Sequence, residues 1–164
     1  FTLALMTGVV GGTGTFLAGK LADVLSAKDQ RWFAWVVTIG KGGLVPFLVW
    51  FFMMQEFVPA LLIYLVPAFL GGFYMAPTFA MVQSLVKPEM RSVAAAISLF
   101  LLNIIGLGLG PQAVGIVSDL LADQHGKESL RYALMIFSLV NIWSALHYFL
   151  AARTLRQDIR KASS

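Results

Sequence analysis

Few side chains in this sequence are equipped for chemistry, and they fall into three groups. Asp23, Arg31 and Arg91 lie in or beside short charged stretches. There a carboxylate can pair with a guanidinium or accept from the exposed N–H groups of a helix start. Lys41 and Asn103 stand inside long uncharged runs, the polar residues nearest their middles. Tyr64, Gly71, Tyr74 and Thr78 recur at near-helical spacing among Pro67, Gly72 and Pro77. No spacing fits a metal site or a nucleophile–base set. Gly11-Gly-Thr-Gly14 lacks the Lys-Ser or Lys-Thr of a phosphate loop, and helix packing explains its glycines better. Zero Cys excludes disulfides and thiolate sites. The sequence therefore gives no reason to expect an enzyme or a cofactor.

The elements that must hold these residues are set by composition. The 164 residues are 59% hydrophobic and 12% charged, against roughly 25% charged in a soluble domain, so the chain cannot clothe a water-facing surface. About 20 helical residues cross ~30 Å of hydrocarbon, and five segments are long enough: 1–18, 32–55, 57–86, 92–118 and 132–152. Strands are excluded because period-2 alternation is missing and an open edge cannot survive in lipid. Trp32, Trp35, Trp50, Phe57, Tyr132 and Tyr148 fall near the ends, as an interfacial belt requires. The expected fold is thus all-α, a polytopic membrane bundle over 1–152 with a tail at 153–164. There is no secretory signal, and Phe1 opens inside an apolar run near one face, which reads as a piece of a longer protein.

Charge then orients the bundle. One side carries nine basic residues, Lys20, Lys28, Arg31, Lys87, Arg91, Arg153, Arg156, Arg160 and Lys161; the other has only Lys127 and Arg131. The positive-inside rule makes the first side, with the C-terminus, cytoplasmic. Placement thus explains the net charge of +4 without nucleic acid as a partner. The tail is expected to be solvated and frayed, or alternatively a short amphipathic helix on anionic headgroups.

Within this frame each group has a functional and a structural reading. Gly19, Asp23, Arg31 and Arg91 form either a latch between helix ends or a set of solvated, topology-setting charges. Gly106 and Gly110, with Gly115 beyond them, offer a small-residue face, and Pro111 bends the fourth span. Tyr64, Tyr74 and Thr78 line a central path or fill a core. Lys41 lies roughly 14 Å inside Trp32 at 1.5 Å per residue. That is too deep for easy snorkelling, so it is either functional or housed in a polar gap made by its flanking glycines. His147 reads as an interfacial or packed histidine, and no carboxylate lies deep in any span.

Three stretches resemble a known family. Residues 19–32, GKLADVLSAKDQRW, are similar to the charged hairpin between helices eight and nine of the major facilitator superfamily, with Gly19 and Asp23 in place. Residues 86–98, VKPEMRSVAAAIS, resemble the start of helix eleven, including Arg91. Residues 99–119 with 129–134 look most like the Spinster-like branch. Val24 departs from the family pattern, in which a basic residue commonly follows the Asp.

The resemblance implies five helices equivalent to helices eight to twelve, a missing N-terminal half as partner, and alternating access about a midplane site. It favours Tyr64, Tyr74 and Thr78 as cavity residues, with Asn103 second, and makes Lys41 peripheral. Spinster-like proteins move lysolipids and sphingolipids, often coupled to protons. The implied activity is secondary active transport of a lipid-like or amphipathic organic solute in the plasma (bacterial inner) membrane, among membrane lipids. The alternatives are a sugar or organic-anion carrier, a membrane-embedded enzyme, or a non-transporting scaffold.

Overall fold

A computed structural model describes residues 2–163, and Phe1 lies outside the described residues. The chain is helical throughout: α1 Thr2–Ser26, α2 Trp32–Met53, α3 Phe57–Gly71, α4 Met75–Ser84, α5 Arg91–Leu101, α6 Gly110–His125, α7 Ser129–Ser138 and α8 Val140–Ser163. A π-helical stretch, Leu102–Leu109, joins α5 to α6 without a break. Single 3-10 turns, Pro88–Met90 and Gly126–Glu128, precede α5 and α7.

Proline and glycine mark the interruptions. α3 stops at Gly71, and Pro77 falls in the first turn of α4, where its missing N–H leaves no helix bond unmade. Pro111 falls in the first turn of α6, where its missing donor costs least. The widened π turns end at Leu109, two residues before it. Gly126, at φ 51°, closes α6 in a conformation that L side chains rarely adopt.

Among the described residues three stretches are long and apolar enough to cross a membrane: Trp32–Met53, Phe57–Ser84 and Pro88–Ala162. Packing agrees with a lipid setting. Among the described residues seven of the thirteen buried hydrophobic ones are alanines and none is Phe or Trp, so helices meet through small residues. Large side chains such as Phe16, Leu62, Phe100 and Trp143 point outward, as lipid-facing residues do where no aqueous hydrophobic effect drives helices together.

α2 is the hub, touching α1, α3, α4, α7 and α8. Gly14 of α1 lies against the Phe69 backbone, and a Cβ on Gly72 would stand 2.5 Å from Thr15 N, so α1 and α3 cross at backbone contact. By contrast α5, the π stretch and α6 bury no residue. Among the described residues nothing lies within 4 Å of a Cβ on Gly106 or Gly115, and Gly110 meets only Ile105 O of its own helix, at 3.5 Å. These glycines are therefore open to a further packing partner outside the described residues, and Gly106 borders the cleft described below.

The tail differs from the frayed end expected at 153–164. α8 runs on to Ser163, and Ala152, Leu155 and Ile159 pack with Ala34 against Phe33, Met81 and Leu85. Their spacing of three and four residues makes one apolar stripe.

Candidate functional site

The two ends of the bundle are tied by different polar contacts. At one end Arg131 reaches from α7 to the carbonyls of Phe52 and Met54, the latter at 3.1 Å, while pairing with Glu128 at 2.7 Å. It thereby satisfies carbonyls that the end of α2 leaves open. At the other end the turn at 27–31 carries Asp29, which pairs with Arg31 at 3.0 Å and with Arg156 of α8 at 2.8 Å. Burial pushes the Asp29 carboxyl up. The Arg31 backbone N–H and the two guanidinium groups outweigh it, and the group titrates below the ordinary carboxylate value.

The four residues expected to act as a latch share that second end. Gly19 sits where α1 meets α4, a Cβ there being 3.3 Å from that of Ala76. Arg91 lines a cleft of about 550 Å³ with Gln30, Lys87, Glu89 and Ile159. Asp23, in the last turns of α1, is exposed. Among the described residues Asp23 enters no ion pair, and Arg31 pairs with Asp29 instead. Asp29 was not singled out in the sequence; its position two residues before Arg31, in the tightest part of the turn, was the available signal.

Deeper in the bundle, the glycines around Lys41 assemble a polar site. Gly40 lets Phe73 close onto α2, bringing the α3–α4 break alongside. A Cβ on Gly42 would lie 3.8 Å from that of Ala145, so the glycine lets α8 lie alongside. Lys41 then finds a partner on each: its ammonium lies 4.3 Å from the centre of the Tyr74 ring and donates to Asn141 Oδ1 at 3.3 Å. The Asn141 amide is fixed in turn by donating to Ser138 O at 3.0 Å. Thr78 and Tyr148 share a hydroxyl–hydroxyl hydrogen bond of 2.8 Å.

Lys41, Tyr74, Thr78 and Tyr148 line one wall of a cleft of about 630 Å³, with Met75 and Phe79 beside them. The facing wall is Ser98, Leu101, Leu102, Ile105 and Gly106, so the π-helical turns form part of it. That volume is in the range of small-molecule sites. Lys41 is the tenth of the 22 residues of α2, so the cleft opens at mid-helix.

The remaining expected cavity residues lie elsewhere. Tyr64 hydrogen-bonds Thr7 at 3.1 Å and packs on Phe51. Asn103 is exposed and donates to Leu99 O at 2.7 Å. Neither lines the cleft, whereas Lys41, read as peripheral, does. Asn141, Ser144 and Tyr148 went unread: Tyr148 resembles an interfacial aromatic, and Asn141 stands alone in an apolar run.

No protein family model matches the chain. Over 156 residues, 94% of its length, the chain is 35% identical to an MFS-type efflux pump of Mycolicibacterium smegmatis (strain ATCC 700084 / mc(2)155). The match supports membership of the major facilitator superfamily. An all-helical bundle with long apolar helices suits that superfamily. The chain spans 36% of that relative's length.

Proposed function

We propose that this chain is part of a secondary active transporter that works by alternating access, and that the cleft beside Lys41 receives an amphipathic organic solute. The observation carrying this is the cleft's two-sided lining: hydroxyls and one ammonium on α2, α4 and α8, aliphatic side chains on α5 and the π turns. A sugar would need polar partners on several sides, and the aliphatic wall has few to offer. An enzyme would need a reacting constellation, and the Thr78 and Tyr148 hydroxyls in the cleft are bonded to each other rather than to a base.

In this reading five helices cross the bilayer. The nine-cation end faces the cytoplasm of a plasma (bacterial inner) membrane, and the C-terminus lies there too. Asp23, Gly19, Arg31 and Arg91 form a latch that engages a further part of the protein in another conformation of the cycle, consistent with Asp23 being exposed. Tyr64 and Asn103 join the path in that other conformation. The three family-like stretches favour a Spinster-like carrier with proton coupling. The efflux named for the relative sets export as the direction to test.

The test is flux in proteoliposomes containing the full-length protein, comparing labelled lysolipid with a labelled hexose, with and without a proton gradient. Lysolipid flux that rises with the gradient is expected. Background flux of both, or hexose flux alone, overturns the proposal.

A further inference from the structure

Lys41 places a positive charge in the cleft with neutral partners only, the Asn141 amide oxygen and the face of Tyr74. Among the described residues it has no ion-pair partner, and none of the residues lining the cleft is acidic. The eight acidic residues of the chain, Asp23, Asp29, Glu56, Glu89, Asp119, Asp123, Glu128 and Asp158, all lie in connecting turns or toward helix ends. A charge held in apolar surroundings is costly unless an opposite charge meets it. The counter-charge is therefore missing from the cleft wall itself.

Proton counting adds a second donor. The Thr78 and Tyr148 hydroxyls carry two hydrogens between them, and their mutual bond uses one. The other remains to be given to an acceptor in the cleft. Ser98 donates its hydrogen to Ala94 O at 2.8 Å, so it presents only an acceptor. The polar wall thus offers one ammonium, the spare hydrogen of the Thr78–Tyr148 pair and the hydroxyls of Tyr74 and Ser144, and the facing wall offers Leu101, Leu102 and Ile105.

We infer that the cleft binds a single-chain amphiphile by an anionic oxygen headgroup, carboxylate or phosphate, held on Lys41 and the Thr78–Tyr148 pair with its alkyl chain along α5 and the π turns. This deepens the transport reading and rests on it for the role of the cleft. A cationic solute is repelled by Lys41, and a neutral one leaves the ammonium uncompensated.

Binding separates the two ideas. The full-length protein in neutral detergent is titrated with oleoyl lysophosphatidate and with monooleoylglycerol, which has the same chain without the charge. Wild type is expected to prefer the lysophosphatidate. Lys41→Met should weaken that ligand by about thirtyfold or more, as loss of a desolvated charge partner does, and leave the glyceride within about twofold. Lys41→Arg should keep the preference. Equal loss for both ligands, or unchanged lysophosphatidate binding because another part of the protein neutralises Lys41, overturns the inference. Should Lys41→Met not fold, Thr78→Val combined with Tyr148→Phe decides, because with both hydroxyls gone the spare hydrogen is lost and the lysophosphatidate must weaken while the glyceride holds; equal effects on the two overturn it. Selective binding without flux sinks the transporter alone, whereas flux without selectivity sinks the headgroup assignment alone.

Discussion

Asp29 accepts from both Arg31 and Arg156, so one carboxylate ties the α1–α2 turn to the end of α8. Its lowered pKa fixes the sign of a pH effect. A carboxyl that titrates lower in the folded state stabilises fully above the unfolded value, about 3.9, and this is lost as pH falls through the lowered value. The tie should therefore be intact at pH 6 and give way only as pH falls below the unfolded value. Spin labels on Lys28→Cys and Gln157→Cys should report a distance distribution that widens only on acid titration below that value, and Asp29→Asn should show the wide distribution already at pH 6. A distance unaffected by Asp29→Asn refutes the tie. Arg131 does the matching work at the opposite end, where its forked guanidinium closes carbonyls of α2 that a lysine could not bracket.

At the scale of elements, glycines separate helices that are packed from one that is not. Gly14 has Phe69 backbone where a Cβ would go, while Gly115 has open space. Gly14→Ala forces α1 from α3 and should cost about 1–3 kcal/mol, the usual cost of overpacking. Gly115→Ala should be neutral or stabilising by up to about 1 kcal/mol, the difference in helix propensity. Melting of the detergent-solubilised full-length protein checks both, and equal shifts would show that α1 and α3 are not in backbone contact. The π stretch has a different meaning: it supplies Leu102, Ile105 and Gly106 to the cleft wall, as such turns often do at functional sites. The end of α8 packs because Ala152, Leu155 and Ile159 repeat on one face, a pattern readable in the sequence beneath its four basic residues.

At the scale of the whole molecule, the turn at 27–31, the turn before α5 and the end of α8 meet at one end, around Gln30, Arg91 and Ile159. Lys127, Glu128 and Arg131 gather with Gln55 at the other. That arrangement supports the charge asymmetry as an orientation signal, and it can be tested because the 164 residues contain no cysteine. With the protein otherwise cysteine-free, an impermeant maleimide should label Lys127→Cys in intact cells, and Lys28→Cys or Lys87→Cys only after permeabilisation. The reverse pattern would invert the bundle, and labelling of all three in intact cells would remove it from the membrane.

The sequence by itself determined the helices, their apolar character and the two sets of connecting turns. These depend on local hydropathy, on proline and glycine positions, and on where charge is tolerated. It also marked Lys41 as too deep to reach water along its own helix. Only the tertiary structure decided which residues meet: that Arg31 turns to Asp29 rather than Asp23, that Tyr148 faces Thr78, and that Tyr64 and Asn103 stand apart from the cleft. Such choices follow from how closely glycines let particular helices approach and from their rotation about their axes. In spans as uniformly apolar as these, the hydrophobic pattern leaves that rotation open, and contacts far apart in the chain settle it.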